Sequence, residues 1–248
     1  MKILITGSSK GIGYDIAKTL FKEGHSLVLH CNKNKTNLKR FISKRPGHLI
    51  SSQDLSNKKG IELVFKETIN FFGFPDVLIN NAGVAIPSFV DDPIDKWNNS
   101  WKTTLDINLR APAALARWFI NEKRKKKITS RFRIINIASR AAFMGETEEF
   151  ISYACSKGGL ISLTKTIARS FGESDNVIAF TIAPGFVKTD MAKDFIKKYG
   201  DGILKKGIVL NRLTEPKDIS PIVSLMVSGK IDHSTGSTID VNGGSYLR

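Results

Sequence analysis

Seven short runs dominated by Val, Ile and Leu recur along the chain: KILIT, SLVLHC, HLISSQ, DVLIN, RFRIINIAS, NVIAFTIAP and STIDVN. None alternates cleanly with polar residues, so each reads as a strand covered by helices on both faces. Helical patterns fill the gaps: GIGYDIAKTLFKEG closed by Gly24, KTNLKRFISKR stopped before Pro46, NKKGIELVFKETINFFG, and EPKDISPIVSLMVSG. Another runs from Ile94 to Lys125, with a bend expected at Pro112, and another from Ser152 to about Phe171. Repeated strand–helix units with short connections specify an α/β fold, a single doubly wound domain over residues 1–248. Its sheet is expected to be seven-stranded and mostly parallel, with ligands beyond the carboxyl ends of the strands. Only Phe186 to Thr214 breaks the rhythm, and a connection of that length is expected to cover a site.

Apolar content of 41% and charged content of 25% describe an ordinary folded chain. No apolar run approaches the roughly 20 residues of a membrane span. Cys31 and Cys155 are far apart and in no metal-ligand spacing, as expected of a reduced cytoplasmic protein without a metal site. His25, His30, His48 and His233 are scattered and read as ordinary surface or core residues. The formal charge of +15 favours acidic partners, although a general richness in Lys, Asn and Ile would produce the same total. NEKRKKKITSRFR, from Asn121 to Arg133, has one aromatic residue and lies between a helix and a strand. It reads as a solvated connection, with neither nucleic acid nor membrane as a partner.

Chemistry concentrates in two places. TGSSKGIG places Gly7, Gly11 and Gly13 between a strand and a helix, where glycine lets backbone approach a pyrophosphate and the helix N-terminus offers free N–H groups. YACSK places Tyr153 and Lys157 one helical turn apart on one face, with side chains roughly 5–6 Å from each other. A cation about 6 Å away at an effective dielectric near 20 favours a tyrosinate by roughly 2.8 kcal/mol, or about two pKa units. The phenol is therefore expected to fall toward neutrality and exchange protons efficiently.

TGSSKGIG, NNAG at Asn80 to Gly83, Ser139 after its strand, YACSK, APGFVKTDM at Ala183 to Met191 and TGSTIDVNGG at Thr235 to Gly244 follow the order of the short-chain dehydrogenase/reductases. The resemblance covers essentially the whole chain and implies a Rossmann-type sheet and a nicotinamide cofactor. It implies Tyr153 as general acid or base, Ser139 as a hydrogen-bond donor to the substrate oxygen, and Lys157 on the nicotinamide ribose. Asn108 matches the family's helix asparagine that props open a bend and anchors a relay water. A carbonyl oxygen gains charge as hydride arrives, so donors aimed at it stabilise the transition state.

The same resemblance places Thr6, Gly7, Ser9, Lys10, Gly11, Ile12 and Gly13 around the cofactor phosphates. Asn32 and Lys33 flank the adenosine ribose, and Asp54 and Leu55 flank the adenine. Asn81, Ala82 and Gly83 line the adenosine side, and Pro184, Gly185, Val187 and Thr189 meet the carboxamide and phosphates. At the second strand's end an acid would bind the ribose hydroxyls and repel a 2′-phosphate; Cys31 stands there, followed by Lys33 and Lys35, so NADP(H) is expected. PGFVKTDM, NRLTEPKDIS and TGSTIDVNGGSYLR most resemble β-ketoacyl-acyl-carrier-protein reductases. That implies a carrier-bound β-keto thioester, an acidic carrier protein meeting the chain near Lys123 to Arg133, and a homotetramer built through the long helices and last strand. Relatives sharing these motifs act on sugars, polyols, steroids or quinones. A non-catalytic NADP-binding protein and a basic-surface interaction protein are the readings from other classes.

Overall fold

Strand pleating assigns the helices to faces. In β1 (Lys2–Ile5), Ile3 and Ile5 join a core with Ile16 and Leu20 of α1 (Gly11–Lys22) and with Val223 and Met226 of α8 (Pro216–Ser228). Leu4, between them, faces the other way and joins Val64 of α3 (Lys58–Phe72) with Leu115 and Phe119 of α5 (Ala111–Lys125). The two-residue period of a strand thus feeds two cores, as a sheet covered on both faces requires. The computed structural model of the chain describes residues 1–189, 197, 200, 202, 205 and 207–248.

The remaining strands are β2 (Ser26–Cys31), β3 (His48–Ser52), β4 (Val77–Asn80), β5 (Phe132–Ile137), β6 (Val177–Pro184) and β7 (Thr238–Val241). They lie in the order β3-β2-β1-β4-β5-β6-β7, and every pairing is parallel. β1 lies between β2 and β4, so the strand order reverses there and a crevice opens beyond their carboxyl ends. The other helices are α2 (Thr36–Ile42), α4 (Ile94–Leu105), α6 (Ala141–Met144) and α7 (Ile151–Asp175). α2 is shorter than its pattern predicts. α7 runs past Phe171 until Asn176, in the left-handed region, stops it.

The bend expected at Pro112 lies one turn earlier, where α4 passes into α5 through a π-helical turn, Asp106–Arg110. Proline has no N–H to give the carbonyl four residues back, which here belongs to Asn108. The widened turn therefore centres on that asparagine.

Most of the basic run is exposed, as expected of a solvated connection, but several of its cations are engaged. Lys123 is buried, its Nζ donating to the carbonyls of Ile128 and Ser130. Arg124 makes a bidentate pair with Asp175 at 2.6 and 2.7 Å. Arg131 and Arg133 share Asp232, and Lys126 pairs with Glu122. Arg124 thereby fastens α5 to the end of α7 (Ile151–Asp175), and Arg131 and Arg133 fasten the start of β5 to the 3-10 turn Asp232–Ser234. Of the expected cover, Val187 bridges Thr214 and Lys188 donates to the Thr214 carbonyl at 2.8 Å; its middle lies outside the described residues. Among the described residues no helix is long and apolar enough to cross a membrane.

Candidate active site

The glycine turn and the NNAG segment are built as one unit at the crevice. Thr6 Oγ1 accepts the backbone N–H groups of Asn81 and Ala82, each at 3.0 Å, and Asn81 Nδ2 donates to the carbonyls of Thr6 and Gly7. Gly7 has φ +66°, and a Cβ there would lie 2.7 Å from Ala82 Cα. A Cβ on Gly13 would strike the Gly7 carbonyl and Asn81 Nδ2. Only glycine permits this approach. α1 then begins without a side-chain cap and without an acid in its first turn, leaving N–H groups and partial positive charge directed at the crevice. Thr189 reaches the same place, its Cγ2 3.3 Å from where a Gly11 Cβ would be.

The adenosine side is more open. Ser9 gives its carbonyl to Asn37 Nδ2 of α2 at 3.1 Å, and Lys10, Asn32 and Lys33 are exposed. Cys31 is 1% exposed and packs into the core with Leu38 and Phe41, so Asn32 is the first outward residue after β2. Asp54 accepts the Ser56 N–H, which holds its carboxyl below the usual range, with Lys33 adding to the effect. The side chains of Leu55 and Ile12 pack against the two cores, leaving their backbones to face a ligand.

At the far end of the crevice, beyond β5, Ser139 lies close enough to the Tyr153 phenol to favour its ionised form, and its Oγ accepts the Ala141 N–H at 3.1 Å. Lys157 lies 5.7 Å from the centre of the Tyr153 ring, as helical spacing predicts. It is buried, and its Nζ donates to the Ile137 carbonyl at 2.8 Å. Asn108, fully buried, takes the Val84 N–H on Oδ1 at 2.9 Å and gives Nδ2 to the Val84 carbonyl and Ser156 Oγ. Gly83 joins the two ends, since a Cβ there would lie 3.3 Å from Asn108 Oδ1 and 3.4 Å from Lys157 Nζ. On the other side, Pro184 and Gly185 close β6 against Arg140 and Val241.

The expected lowering of the Tyr153 phenol is overturned. Burial pushes it above the ordinary tyrosine range, the Ser139 hydrogen bond pulls it partly back, and the Glu146 carboxylate adds to the rise. Burial likewise pushes Lys157 down to about 8. Attraction between the two groups favours the tyrosinate, but the loss of water around both is the larger effect here. The site therefore holds a protonated phenol at neutral pH, which suits giving a proton rather than taking one.

Two residues at the site escaped the sequence. Ser156 donates to the Tyr153 carbonyl at 2.7 Å and receives Asn108, coupling the π turn to α7. Its place three residues after Tyr153 was an available signal. His30 is buried, as expected of a core residue, and accepts the Gly7 N–H on Nδ1 at 3.1 Å; no spacing in the sequence pointed to that contact.

A family model described as Enoyl-(Acyl carrier protein) reductase matches residues 7–246. The chain belongs to the short-chain dehydrogenase/reductases. This makes it an oxidoreductase acting on CH–OH/C=O groups. The 3-oxoacyl-[acyl-carrier-protein] reductase of Rickettsia prowazekii is 32% identical over 246 residues, covering 98% of this chain and 96% of the relative. That of Vibrio cholerae is 30% identical over 244 residues, with coverage of 98% and 96%. A 4-hydroxyisoleucine dehydrogenase solved in complex with NADH superimposes with a TM-score of 0.87 at 29% identity, over 98% of each chain.

Proposed function

We propose that this short-chain dehydrogenase/reductase is an NADPH-dependent reductase of β-keto acyl thioesters, converting 3-oxoacyl-acyl-carrier protein to its β-hydroxy product in fatty acid synthesis. The observation that carries the proposal is the convergence of the Ser139 and Tyr153 hydroxyls beyond β5, with buried Lys157 5.7 Å from the Tyr153 ring. The crevice fits a nicotinamide dinucleotide: the glycine turn, the uncapped start of α1 and Gly83 leave backbone where side chains would obstruct it. Gly7, Ser9, Gly11 and Thr189 would hold its phosphates, Asp54 and Asn81 its adenosine, and Lys157 its nicotinamide ribose. When bound, the cofactor supplies the hydride that no side chain can. Tyr153 gives the proton to the substrate oxygen, Ser139 donates a second hydrogen bond to it, and Asn108 fixes Val84 and the turn behind Gly83.

NADPH is proposed over NADH because β2 ends without a carboxylate and exposed Lys10 and Lys33 flank the adenosine side. Replacing both lysines with Ala is expected to lower the NADPH-to-NADH ratio of kcat/KM by about tenfold. An unmoved ratio would remove them from cofactor choice.

The acyl substrate is supported by relatives named for it and by the +15 charge, which suits an acidic carrier. Within Lys123 to Arg133 the carrier would meet the cations that stay exposed, since Lys123 and Arg133 are buried. A homotetramer fits the tilted pair Trp97 and Trp101 of α4, Ile94 at 67% exposure, and β7 at the sheet edge. The likeness to a dehydrogenase of a free hydroxy amino acid supports a second proposal, oxidation of a small hydroxy acid. NADPH consumption with acetoacetyl thioester, free and carrier-bound, should exceed that with sugars and cyclic ketones. Faster turnover of NAD with hydroxy acids would favour the second proposal, and dinucleotide binding without turnover of any of these would favour a non-catalytic protein.

A further inference from the structure

His30 joins three strand ends at one point. Its ring, 2% exposed, accepts the Gly7 N–H on Nδ1 at 3.1 Å, while Nε2 lies 2.9 Å from the Gln53 carbonyl beyond β3. Nδ1 can accept only if it carries no hydrogen, so the hydrogen resides on Nε2 and donates to Gln53. The His30 carbonyl meanwhile receives both the N–H and the hydroxyl of Ser8, at 2.8 and 2.9 Å. The first two residues of the glycine turn after Thr6 are thus held by this one histidine. Gly7 sits in the left-handed region against Ala82, so the turn has little freedom to find another partner.

We propose that His30 is a positioning residue for dinucleotide binding: its neutral ring fixes the Gly7 N–H, and taking up a proton releases the turn. A proton added to Nδ1 would confront the Gly7 N–H with a second donor. β1 and its turn present uncharged Gly7 and Ser8 to the ring. The charged groups facing it are the carboxylates of Asp54, after β3, and Glu67, on α3, both of which favour the imidazolium. Glu67 is itself engaged by Gln53 Nε2 at 2.8 Å, and Lys33 draws on Asp54. Burial outweighs them and holds the ring below the usual histidine range. Binding therefore selects the neutral form and weakens as pH falls through the value of the folded ring.

The inference rests on the glycine turn being the dinucleotide site. It is tested by fluorescence titration of NADH and NADPH between pH 7.5 and pH 5, with circular dichroism confirming the fold. NADH is the principal probe, because the 2′-phosphate of NADPH itself titrates near pH 6. In His30→Asn the amide oxygen takes the place of Nδ1 and does not titrate. It should bind within about threefold of the parent at pH 7.5 and lack the parent's acid loss, whereas His30→Phe should bind about tenfold more weakly throughout. Parallel pH profiles for the parent and His30→Asn would overturn the proton-linked release, and normal binding by His30→Phe would overturn the positioning role. If the parent binds neither dinucleotide at pH 7.5, the proposed function itself fails, a result separate from either of these.

Discussion

Tyr153→Phe should lower kcat by about a thousandfold or more while changing NADPH affinity by less than about threefold. The substitution deletes one oxygen from a half-buried ring and leaves the glycine turn, Asn81 and Lys157 untouched. What it removes is the hydroxyl that, among the described residues, stands beside Ser139 and is protonated at neutral pH. General acid catalysis contributes about 10²–10⁴ in rate, and losing a donor to a developing oxyanion costs about 10²–10³. Ser139→Ala, which loses a donor but no proton, should fall less far. The direction of the Tyr153 shift gives a second handle. Because burial raises it, reduction should hold its rate through neutral pH and decline only in the alkaline range, whereas oxidation of the alcohol should climb with pH. Steady-state rates in both directions, with NADPH titrated separately, decide the matter. If Tyr153→Phe keeps a tenth of the turnover, the proton comes from elsewhere.

That prediction stands on features the sequence showed unequally. The central strands were legible because β2, β4 and β5 are rich in Val, Ile and Leu and buried on both faces, and the crevice followed from strand order. The glycine turn was legible because two of its glycines are forced, Gly7 by its φ and contact with Ala82 and Gly13 by contact with the Gly7 carbonyl. Tyr153 and Lys157 were legible as a pair because helical spacing brings them to 5.7 Å. Their electrostatics were not, since desolvation depends on what the fold packs around a group and spacing is silent on that. The π turn at Asn108 was half-visible: Pro112 announced a defect in the helix, but its position four residues upstream follows from which carbonyl loses its donor. The ion pairs of the basic run were not legible because its partners, Asp175 and Asp232, lie roughly fifty to a hundred residues away in sequence. The role of His30 was invisible for a related reason, as its two ring contacts lie beyond the ends of different strands.

Lys157→Met should move stability and activity in opposite directions. Lys157 is 4% exposed, and burial takes it from the ordinary lysine value to about 8. A depressed value means that the fold disfavours the ammonium relative to the unfolded chain. Below about pH 8 both states carry the proton and the penalty is present in full. As pH rises from there toward the ordinary lysine value, the unfolded chain binds the extra proton and stability recovers. At neutral pH the penalty is on the order of 3 kcal/mol, from roughly 1.4 kcal/mol per unit. Met keeps the aliphatic length and removes the charge, but leaves the Ile137 carbonyl without its 2.8 Å donor, which costs about 1–3 kcal/mol. The net is a gain of about 1 kcal/mol, raising Tm at pH 7 by roughly 2–4 °C for a chain of this size. Activity should fall sharply, with weaker NADPH binding and a kcat/KM reduced by about a hundredfold or more, because the cation beside Gly83 and the Tyr153 ring is gone. The Tm advantage should shrink above about pH 8, where the parent sheds its proton. Thermal melts at pH 7 and pH 9.5, set beside NADPH titrations, separate a cation kept for chemistry from one kept for the fold: a Met variant that is less stable than the parent at pH 7 and still active would show that Lys157 belongs to the second kind.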